Sequence, residues 1–375
     1  MSGLNSKLSE AWVTKDLWIE YNGCDIKEES FVDIEILFGG HKTIGKCIFL
    51  DNEAFTSGLR KGTTLDQGGL MKIGWVDCTG CNFEIEMAVT STKHELDKKQ
   101  QKLVEVQLVD MESRNMKGSF ISKGYPDTTY SEAMEKHLKE MEISSIIVVP
   151  PEDEKKANIV IPSHVSFFDT LVQTSKDKDY SYKTDKDFKY LVHNSHTSFD
   201  KLKETQEHFE YDAKQLQVNR ILQYSVKGYD VDAFLESVPT RTTSMDAQSS
   251  NSKDNDKGLD TKEFTQDASE VKTKTQNTKA KDMVATRGVR IKNKPHQDKE
   301  YFNAISNAQG LSIWVPGRNI SRIGKKVQVS LPRPKFYSGT ENDEVFEGHW
   351  EVVFTRDKLI GQYFVQELVL RRPGK

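Results

Sequence analysis

The sequence predicts a mainly β protein with α+β insertions, and three observations lead to that fold class. Residues 1–115 and 310–375 contain runs in which apolar and polar residues alternate, the period-two pattern of half-buried strands. Residues 116–210 combine helical periodicity with short apolar runs, which indicates a mixed α/β domain. Residues 240–299 are almost free of aromatic residues and rich in Ser, Thr, Asn, Asp and Lys.

The N-terminal β region, residues 1–115, is predicted to form a β-barrel or a sandwich. Its strand patterns are short and are separated by glycine-containing turns such as Gly39-Gly40, which is typical of barrels and sandwiches. The predicted strands are Val32–Phe38, Cys47–Leu50, Phe83–Val89 and Val104–Leu108.

The middle region, residues 116–210, is predicted to contain two helices. The first spans Thr129–Met141, where Thr129 and Glu132 have the spacing of a capping box. The second begins at Ser163 or Ser166, each of which can cap a helix. Its expected buried side chains are Phe167 or Phe168, Leu171 and Val172, and strands are expected at Ile143–Val149 and Phe188–Val192.

The C-terminal β region, residues 310–375, is predicted to form the wall of a barrel or a sandwich. Three strand patterns follow one another here: Val327–Leu331, Trp350–Arg356 and Gln362–Arg371. The Asp357–Gly361 break predicts a hairpin, because Gly361 suits a turn position. The alternation predicts that Trp350, Val352 and Phe354 share one face and form part of the core, with Glu351 and Thr355 on the opposite face.

The polar segment, residues 240–309, is predicted to be an extended arm or linker that ends in a short helix at Tyr301–Ala308. Its composition cannot bury enough apolar surface to offset the entropy lost on ordering. We therefore expect residues 240–299 to become ordered only against a partner.

Composition limits the classes of function. The net charge is −4 and the pI is about 6.2, which argues against tight, sequence-independent binding to nucleic acid. Met1–Glu10 has no apolar core of a secretory signal, and no apolar run is long enough to span a bilayer. Four cysteines in 375 residues do not form a disulfide scaffold, so a soluble protein made in a reducing cytoplasm is expected.

One motif has the spacing of a metal site. Cys78 and Cys81 are two residues apart, as in a zinc knuckle, and Cys24 and Cys47 could complete a four-thiolate set. The alternative is a turn between strands in which Gly80 adopts a positive φ. We favour the turn and expect no bound metal and no cofactor, with Cys78 and Cys81 as weak metal candidates.

Other polar patterns have structural interpretations. His193 and His196 are expected on the surface, and the cluster of Ser163, His164 and Asp169 is explained by a helix cap. The basic runs at 287–294 and 318–326 could contact a polyanion, but a solvated or inter-subunit face is the preferred interpretation. No group of residues supplies a nucleophile, a base and an oxyanion site, so the chain is not expected to be an enzyme.

The order of these elements resembles the central baseplate hub protein of contractile-tailed, T-even-like bacteriophages. The resemblance covers about residues 25–235 and 300–375. It is carried by the element order, the length, and the ending in which Gly324-Lys-Lys-Val327 precedes Gly361-Gln-Tyr-Phe-Val365. The long polar segment departs from that pattern.

The resemblance implies a structural protein of the virion tail baseplate that is assembled in the host cytoplasm. It implies that residues 1–115 form a first tube-like β-barrel domain and that residues 211–239 with 310–375 form a second tube-like β-barrel domain. It further implies a homotrimer in which the two barrels of each subunit form a pseudo-sixfold ring. That ring would join the tail tube and inner baseplate proteins to the central spike protein, and would leave a channel for transient passage of viral DNA. No stable membrane association is expected.

Two alternatives from other classes remain open at this point. A metal- or nucleic-acid-binding regulatory protein would use Cys78, Cys81 and the basic runs. A tail protease or lysozyme-like module is disfavoured, since the sequence offers no suitable pair of carboxylates.

Overall fold

The structure is a computed structural model that describes residues 12–26, 30–51, 68–96, 102–143, 145–197, 199–211, 219–227, 242–245, 252–255, 309–332 and 346–372. The chain divides into two compact units, one of residues 1–224 with 312–370 and one of residues 225–311 with 371–375. Among the described residues, no helix is both long and apolar enough to cross a membrane.

The N-terminal β region is an antiparallel array of strands. Its strands are β1 (Trp12–Val13), β2 (Lys15–Tyr21), β3 (Cys24–Ile26), β4 (Phe31–Phe38), β5 (Ile44–Leu50), β6 (Leu70–Val76), β7 (Asn82–Leu96) and β8 (Lys102–Asp110). They lie side by side in the order β4-β5-β8-β7-β6-β2-β3, while β1 pairs with the C-terminal strand of the chain. The predicted strands at Val32–Phe38, Cys47–Leu50, Phe83–Val89 and Val104–Leu108 are all present.

The middle of the chain contains the helices and two small sheets. The helices are α1 (Met111–Gly118), α2 (Tyr130–Glu140) and α3 (Phe167–Asp177), with 3-10 turns at Asn194–His196 and Phe199–Lys201. The strands are β9 (Lys123–Thr128), β10 (Ile146–Val149), β11 (Ala157–Ile161), β12 (Tyr180–Thr184) and β13 (Lys189–His193). β13 pairs in parallel with β10 and antiparallel with β12, and β9 forms a separate antiparallel ribbon with β11.

The remaining strands extend the large sheet. They are β14 (Glu204–Glu210), β15 (Gln223–Lys227), β18 (Gln309–Pro316), β19 (Lys326–Ser330), β20 (Gly348–Ile360) and β21 (Tyr363–Arg372). Among the described residues this sheet has fourteen strands and runs β15-β18-β21-β20-β4-β5-β8-β7-β6-β2-β3, with β19 paired to β14 and β20. In the second unit, β16 (Thr242–Met245) and β17 (Ser252–Asn255) pair antiparallel. The predicted helix at Tyr301–Ala308 and most of the polar segment lie outside the described residues.

The pairing of β4 with β20 joins the two predicted β regions into one sheet. Thr355 lies opposite Phe38 and Ile360 lies opposite Asp33. A single apolar core accompanies this pairing, since Leu359 and Phe364 pack into the same cluster as the N-terminal side chains. The mainly β fold class predicted from the sequence is confirmed, while the division of the chain into the four predicted domains stays a prediction.

The alternation predicted for β20 changes phase within the strand. Trp350 and Val352 are fully buried, but Phe354 is only half-buried and Thr355 is buried instead. Phe354 packs against Gly39, the residue that follows β4, and the φ of Gly39 is +103°. A Cβ atom at Gly39 would lie 2.3 Å from the Val353 carbonyl oxygen, so only glycine fits there. Phe354 is therefore not a fully buried core residue, contrary to the prediction.

The helical part of the middle region has its own core. The predicted capping box is confirmed, because Thr129 caps α2 and Glu132 reaches back to its backbone. Ser166, rather than Ser163, caps α3 by accepting a hydrogen bond from the Asp169 N–H at 3.1 Å. The buried side chains from the helices include Tyr130, Ala133, Met134, Leu138, Phe167 and Leu171.

Three elements differ from the sequence predictions. The charged stretch 176–187 contains β12, which buries Tyr180, Tyr182 and Thr184 on one face. The helix α1 follows directly on β8, because Asp110 caps it by accepting a hydrogen bond from the Ser113 N–H. The break predicted at Asp357–Gly361 is shorter, since β20 continues to Ile360 and only Gly361 and Gln362 form the turn.

Replacing Trp350 with alanine should strongly destabilise the fold. Its side chain is fully buried and its indole Nε1 donates a hydrogen bond to the Phe346 carbonyl oxygen at 3.0 Å. Truncating a buried large aromatic typically costs about 3–5 kcal/mol. Thermal and urea unfolding should show this loss, whereas Val32→Ala, at an exposed position of the same sheet, should change stability by less than about 0.5 kcal/mol. Equal midpoints for Trp350→Ala and the parent would contradict the packing described here.

His137 should make the stability of the middle region pH-dependent. It is buried in α2, its Nδ1 lies 2.9 Å from the Tyr125 hydroxyl, and its ring lies 4.4 Å from that of Phe167. Burial lowers the pKa of His137 from its ordinary value of 6.5, an effect that Glu140 partly opposes.

The unfolded chain therefore takes up the His137 proton more readily than the folded chain does. The free energy of unfolding should decrease as the pH falls from 6.5 towards the lower pKa of His137 in the folded chain. Below that folded pKa, His137 should cause no further decrease. Melting temperatures measured between about pH 7 and about pH 5 should decline less steeply in His137→Gln than in the parent. Parallel declines in the two proteins would show that His137 does not titrate in this way.

Candidate functional site

The most unusual group of side chains is a buried ionic network between the large sheet and the turn that joins β12 to β13. Lys186 lies in that turn, and its side chain is 1% exposed. Its Nζ atom is surrounded by four aromatic rings, at 5.0 Å from the ring centre of Phe83 and 5.3 Å from that of Phe364. The other two rings belong to Phe38 and Trp75. An ammonium group over ring faces is favourable, and more so when water is excluded.

Lys186 is paired with a carboxylate on the sheet. Its Nζ donates to Asp357 Oδ2, with weaker contacts to the Arg318 carbonyl oxygen at 3.3 Å and to Asn319 Oδ1 at 3.4 Å. The other oxygen of Asp357, Oδ1, accepts a hydrogen bond from Gln366 Nε2. Asp357, on β20, is itself fully buried, so both charges of this pair are removed from water.

The network continues from Gln366 to a buried arginine. Gln366 Oε1 accepts a hydrogen bond from Arg322 Nη1. Arg322 is fully buried and binds Glu207 of β14 through two parallel bonds, Nε to Oε2 at 2.7 Å and Nη2 to Oε1 at 2.6 Å. Arg318 adds a longer contact to Glu207 at 3.3 Å. This two-pronged geometry is the strongest form of an arginine–carboxylate pair.

Burial and neighbouring charges shift the pKa values of these groups in different directions. Burial lowers the pKa of Lys186, although attraction to Asp357 opposes the shift. Burial raises the pKa of the neighbouring Asp185 to about 6. Burial alone would raise the pKa of Glu207, but its hydrogen bonds and attraction to Arg322 outweigh burial, and the net pKa is lowered.

A second buried ion pair lies where β8 meets α1. Lys189 donates to Asp110 Oδ1 and, at 2.8 Å, to Glu112 Oε2. Asp110 also accepts a hydrogen bond from the Thr43 N–H at 2.9 Å, so one carboxylate caps a helix, holds a loop and pairs with lysine. These contacts link the middle region to the large sheet at a second point.

The cysteines are placed differently from a four-thiolate site. Cys47 is buried in the core of the large sheet, and burial raises the pKa of its thiol to about 12. Cys78 and Cys81 lie at the turn between β6 and β7, where Gly80 has a φ of +86°. Asp77 Oδ1 organises that turn by accepting from the Cys81 N–H at 3.0 Å. In the part of the chain that the structure describes, no group of three or more His, Cys, Asp and Glu side chains could hold a metal ion.

The basic run at 318–326 is directed inward. Arg318 and Arg322 bind Glu207, and Lys326 pairs with Glu204 at 3.1 Å. The prediction of a solvated or inter-subunit face is thus wrong for Arg322, which is fully buried. The other basic run, 287–294, lies outside the described residues.

The histidine motif has local partners. His193 Nδ1 lies 2.8 Å from the Ser195 hydroxyl, and His196 Nε2 lies 3.0 Å from the Pro150 carbonyl oxygen. Asp169 accepts a hydrogen bond from the Ser166 hydroxyl at 2.6 Å, which completes the cap of α3. Each of these groups stabilises a turn or a helix end.

Sequence reasoning missed the buried network, although one signal for it was present. Period-two alternation along β21 places Gln366 on the same face as Phe364, Leu368 and Leu370, and all four are buried. A polar residue within such an apolar series requires a buried hydrogen-bond partner. The identity of that partner could not be read from the sequence, since Arg322 is 44 residues away along the chain.

Comparisons with solved structures find folds of the same kind over nearly the whole chain. The 43 kDa tail protein of prophage MuSo2 from Shewanella oneidensis is 10% identical, with 95% of this chain and 98% of that one covered and a TM-score of 0.62. A tail protein from Neisseria meningitidis MC58 is 11% identical, with 96% and 97% covered and a TM-score of 0.56.

A third similar structure belongs to a secretion machine. The E. coli c3393 protein, described as a type VI secretion component with structural similarity to the T4 tail proteins gp27 and gp5, is 7% identical. The match covers 95% of this chain and 77% of that one, with a TM-score of 0.50. No protein-family model matches the sequence, and no curated protein matches it significantly. The chain therefore has the fold of phage tail proteins.

Removing the carboxylate of Glu207 should cost far more stability than removing the carboxylate of Glu204, which lies on the same strand. Glu207→Ala would leave Arg322 buried without its charge partner, and breaking such a pair typically costs about 3–5 kcal/mol. Glu204, also on β14, has 56% of its side chain exposed, so Glu204→Ala, which removes the contact with Lys326 at 3.1 Å, serves as the matched control and should cost less than about 1 kcal/mol. Urea unfolding of the two variants makes the comparison, and similar losses would contradict the central place given to Arg322.

Proposed function

We propose that this protein is a structural subunit of the tail baseplate of a contractile phage-like particle, with the position of the central hub. The observation that carries the proposal is the likeness to two tail proteins, each matched over nearly its whole length. A match that includes both β regions and the middle region is more informative than a match to one barrel. Location in the virion tail and assembly in the host cytoplasm follow from this proposal.

The proposed hub is a homotrimer that forms a pseudo-sixfold ring. Two tube-like β regions in each subunit would supply six similar positions in three chains. Such a ring would connect the sixfold tail tube and inner baseplate proteins with a threefold central spike. The spike partner is supported by the secretion component described above, which is itself likened to gp27 and gp5.

The β7–β8 hairpin offers a suitable surface for contacts between subunits. Residues 90–96 of β7 lie beyond the last buried residue of that strand, Val89, and all but one of them are exposed. Leu96, which pairs with Lys102, has 72% of its surface exposed. A projecting apolar residue on a paired hairpin is well placed to pack against a neighbouring chain.

A ring with a central channel would let viral DNA pass without holding it. The chain has a net charge of −4, which gives no broad attraction to phosphate. In the basic run at 318–326, Arg318 and Arg322 both donate hydrogen bonds to Glu207. We therefore propose a structural, non-enzymatic role in which DNA passes the hub only transiently.

The purified full-length protein should sediment as a trimer, alone or after addition of its spike partner. Analytical ultracentrifugation measures the mass, and negative-stain images should show a ring with an open centre. A protein that stays monomeric in both samples would argue against the hub. A monomer that binds zinc and retards DNA in a gel would instead support the regulatory alternative.

Leu96→Asp should weaken the assembly without changing the fold. The side chain is exposed in the subunit, so its melting temperature should stay within about 2 °C. Desolvating a carboxylate in a subunit contact should weaken association about tenfold or more, or about 1.4 kcal/mol. Phe120→Asp, at another exposed apolar residue in the middle region, is the matched control and should assemble normally. Normal assembly of Leu96→Asp would exclude the hairpin from the interface.

A further inference from the structure

We propose that Lys186 and Asp357 are joined by an intramolecular amide bond, formed by the protein itself between Lys186 Nζ and Asp357 Cγ. The two groups already touch, since Nζ donates to Oδ2, and they are 171 residues apart in sequence. The proposal concerns the interior of one subunit and does not depend on the assembly.

Burial favours the neutral form of the Lys186 amine. The side chains of Lys186 and Asp357 are 1% and 0% exposed, so the pair is removed from water. Burial of an ion pair carries a desolvation penalty that attraction between the partners only partly offsets. Burial also lowers the pKa of Lys186, which makes transfer of a proton to the carboxylate easier. Arg322 favours the neutral amine further, whereas Asp185 opposes it.

The geometry provides a role for each oxygen of Asp357. A proton moves from Lys186 Nζ to Oδ2, which leaves an amine and a carboxylic acid. The amine lone pair attacks Cγ, and the negative charge that develops on Oδ1 is stabilised by the hydrogen bond from Gln366 Nε2. A second proton passes from nitrogen to the Oδ2 hydroxyl, which leaves as water. The ammonium and carboxylate thus become one secondary amide and one water molecule, and no oxidant or other reactant is consumed.

Neighbouring groups hold the amine in position during this reaction. The Arg318 carbonyl oxygen and Asn319 Oδ1 lie 3.3 and 3.4 Å from Nζ and accept hydrogen bonds from it. Arg322 holds Gln366 in place, because Arg322 Nη1 donates a hydrogen bond to Gln366 Oε1. Holding the reacting groups together replaces a bimolecular step with an intramolecular one. Exclusion of water protects the product from hydrolysis.

The test is the mass of the intact full-length protein under denaturing conditions. The parent chain should be lighter than its sequence mass by one water molecule, and a protease digest should yield a branched peptide joining the segments around Lys186 and Asp357. Lys186→Arg and Asp357→Ala should have their full sequence masses. Lys358→Arg is the matched control, because Lys358 pairs with Asp33 at 3.1 Å on the same sheet. The intact mass of this variant should still be lower than its sequence mass by one water molecule.

Asp357→Asn gives an independent signature, since an asparagine would release ammonia rather than water on forming the same amide. The mass is measured on denatured chains, so the comparison holds even for a variant that folds poorly. A branched peptide from the parent that joins Lys186 to Asp357 would by itself identify the amide bond. A parent protein of full sequence mass would overturn the proposal. A mass loss that persists in Lys186→Arg would place the reaction elsewhere and would overturn it equally.

Discussion

The antiparallel pairing of β4 with β20 is the constraint on which the rest of the structure depends. It continues one sheet from the first strands of the chain to the last, and it places Asp357 opposite Ile36 with its side chain buried. A buried carboxylate must be paired, because an isolated charge in the interior is far more costly than a paired one. Lys186 pairs with Asp357 directly, and Gln366 donates a hydrogen bond to the other oxygen of Asp357. Gln366 in turn binds Arg322, and Arg322 binds Glu207, so this buried network begins at the β4–β20 strand pair.

Local patterns in the sequence predicted much of the fold. Alternation located β4, β7, β8, β19 and β21, and the Thr129–Glu132 spacing located the start of α2, because each signal lies within a few residues. α1 was missed since its cap, Asp110, is also the last residue of β8. β12 was missed because the charged residues around it resembled a loop, although Tyr180, Tyr182 and Thr184 alternate regularly.

The buried network could not be predicted because its members are distant in sequence. Arg322 and Glu207 are 115 residues apart, and Arg322 stood in a basic run whose charge pattern is typical of a surface. Asp357 was assigned to a turn for a similar reason, since Asp, Lys and Gly often occur together in turns. Only the pairing of strands that are distant in sequence shows that Arg322 and Asp357 are buried. Because such a sheet depends on the alternation of apolar and polar residues more than on particular side chains, a tail protein that is 10% identical to this chain can share its fold.

The separation of β20 from β4 along the chain also has a consequence for biosynthesis. While the ribosome is still making residues 348–360, β4 has a free edge of N–H and C=O groups, and the core of the large sheet lacks Leu359 and Phe364. The sheet can therefore close only after residues 348–360 have been made. Until then the nascent chain exposes an unpaired strand and apolar surface, the features that make partly folded chains aggregate and bind chaperones.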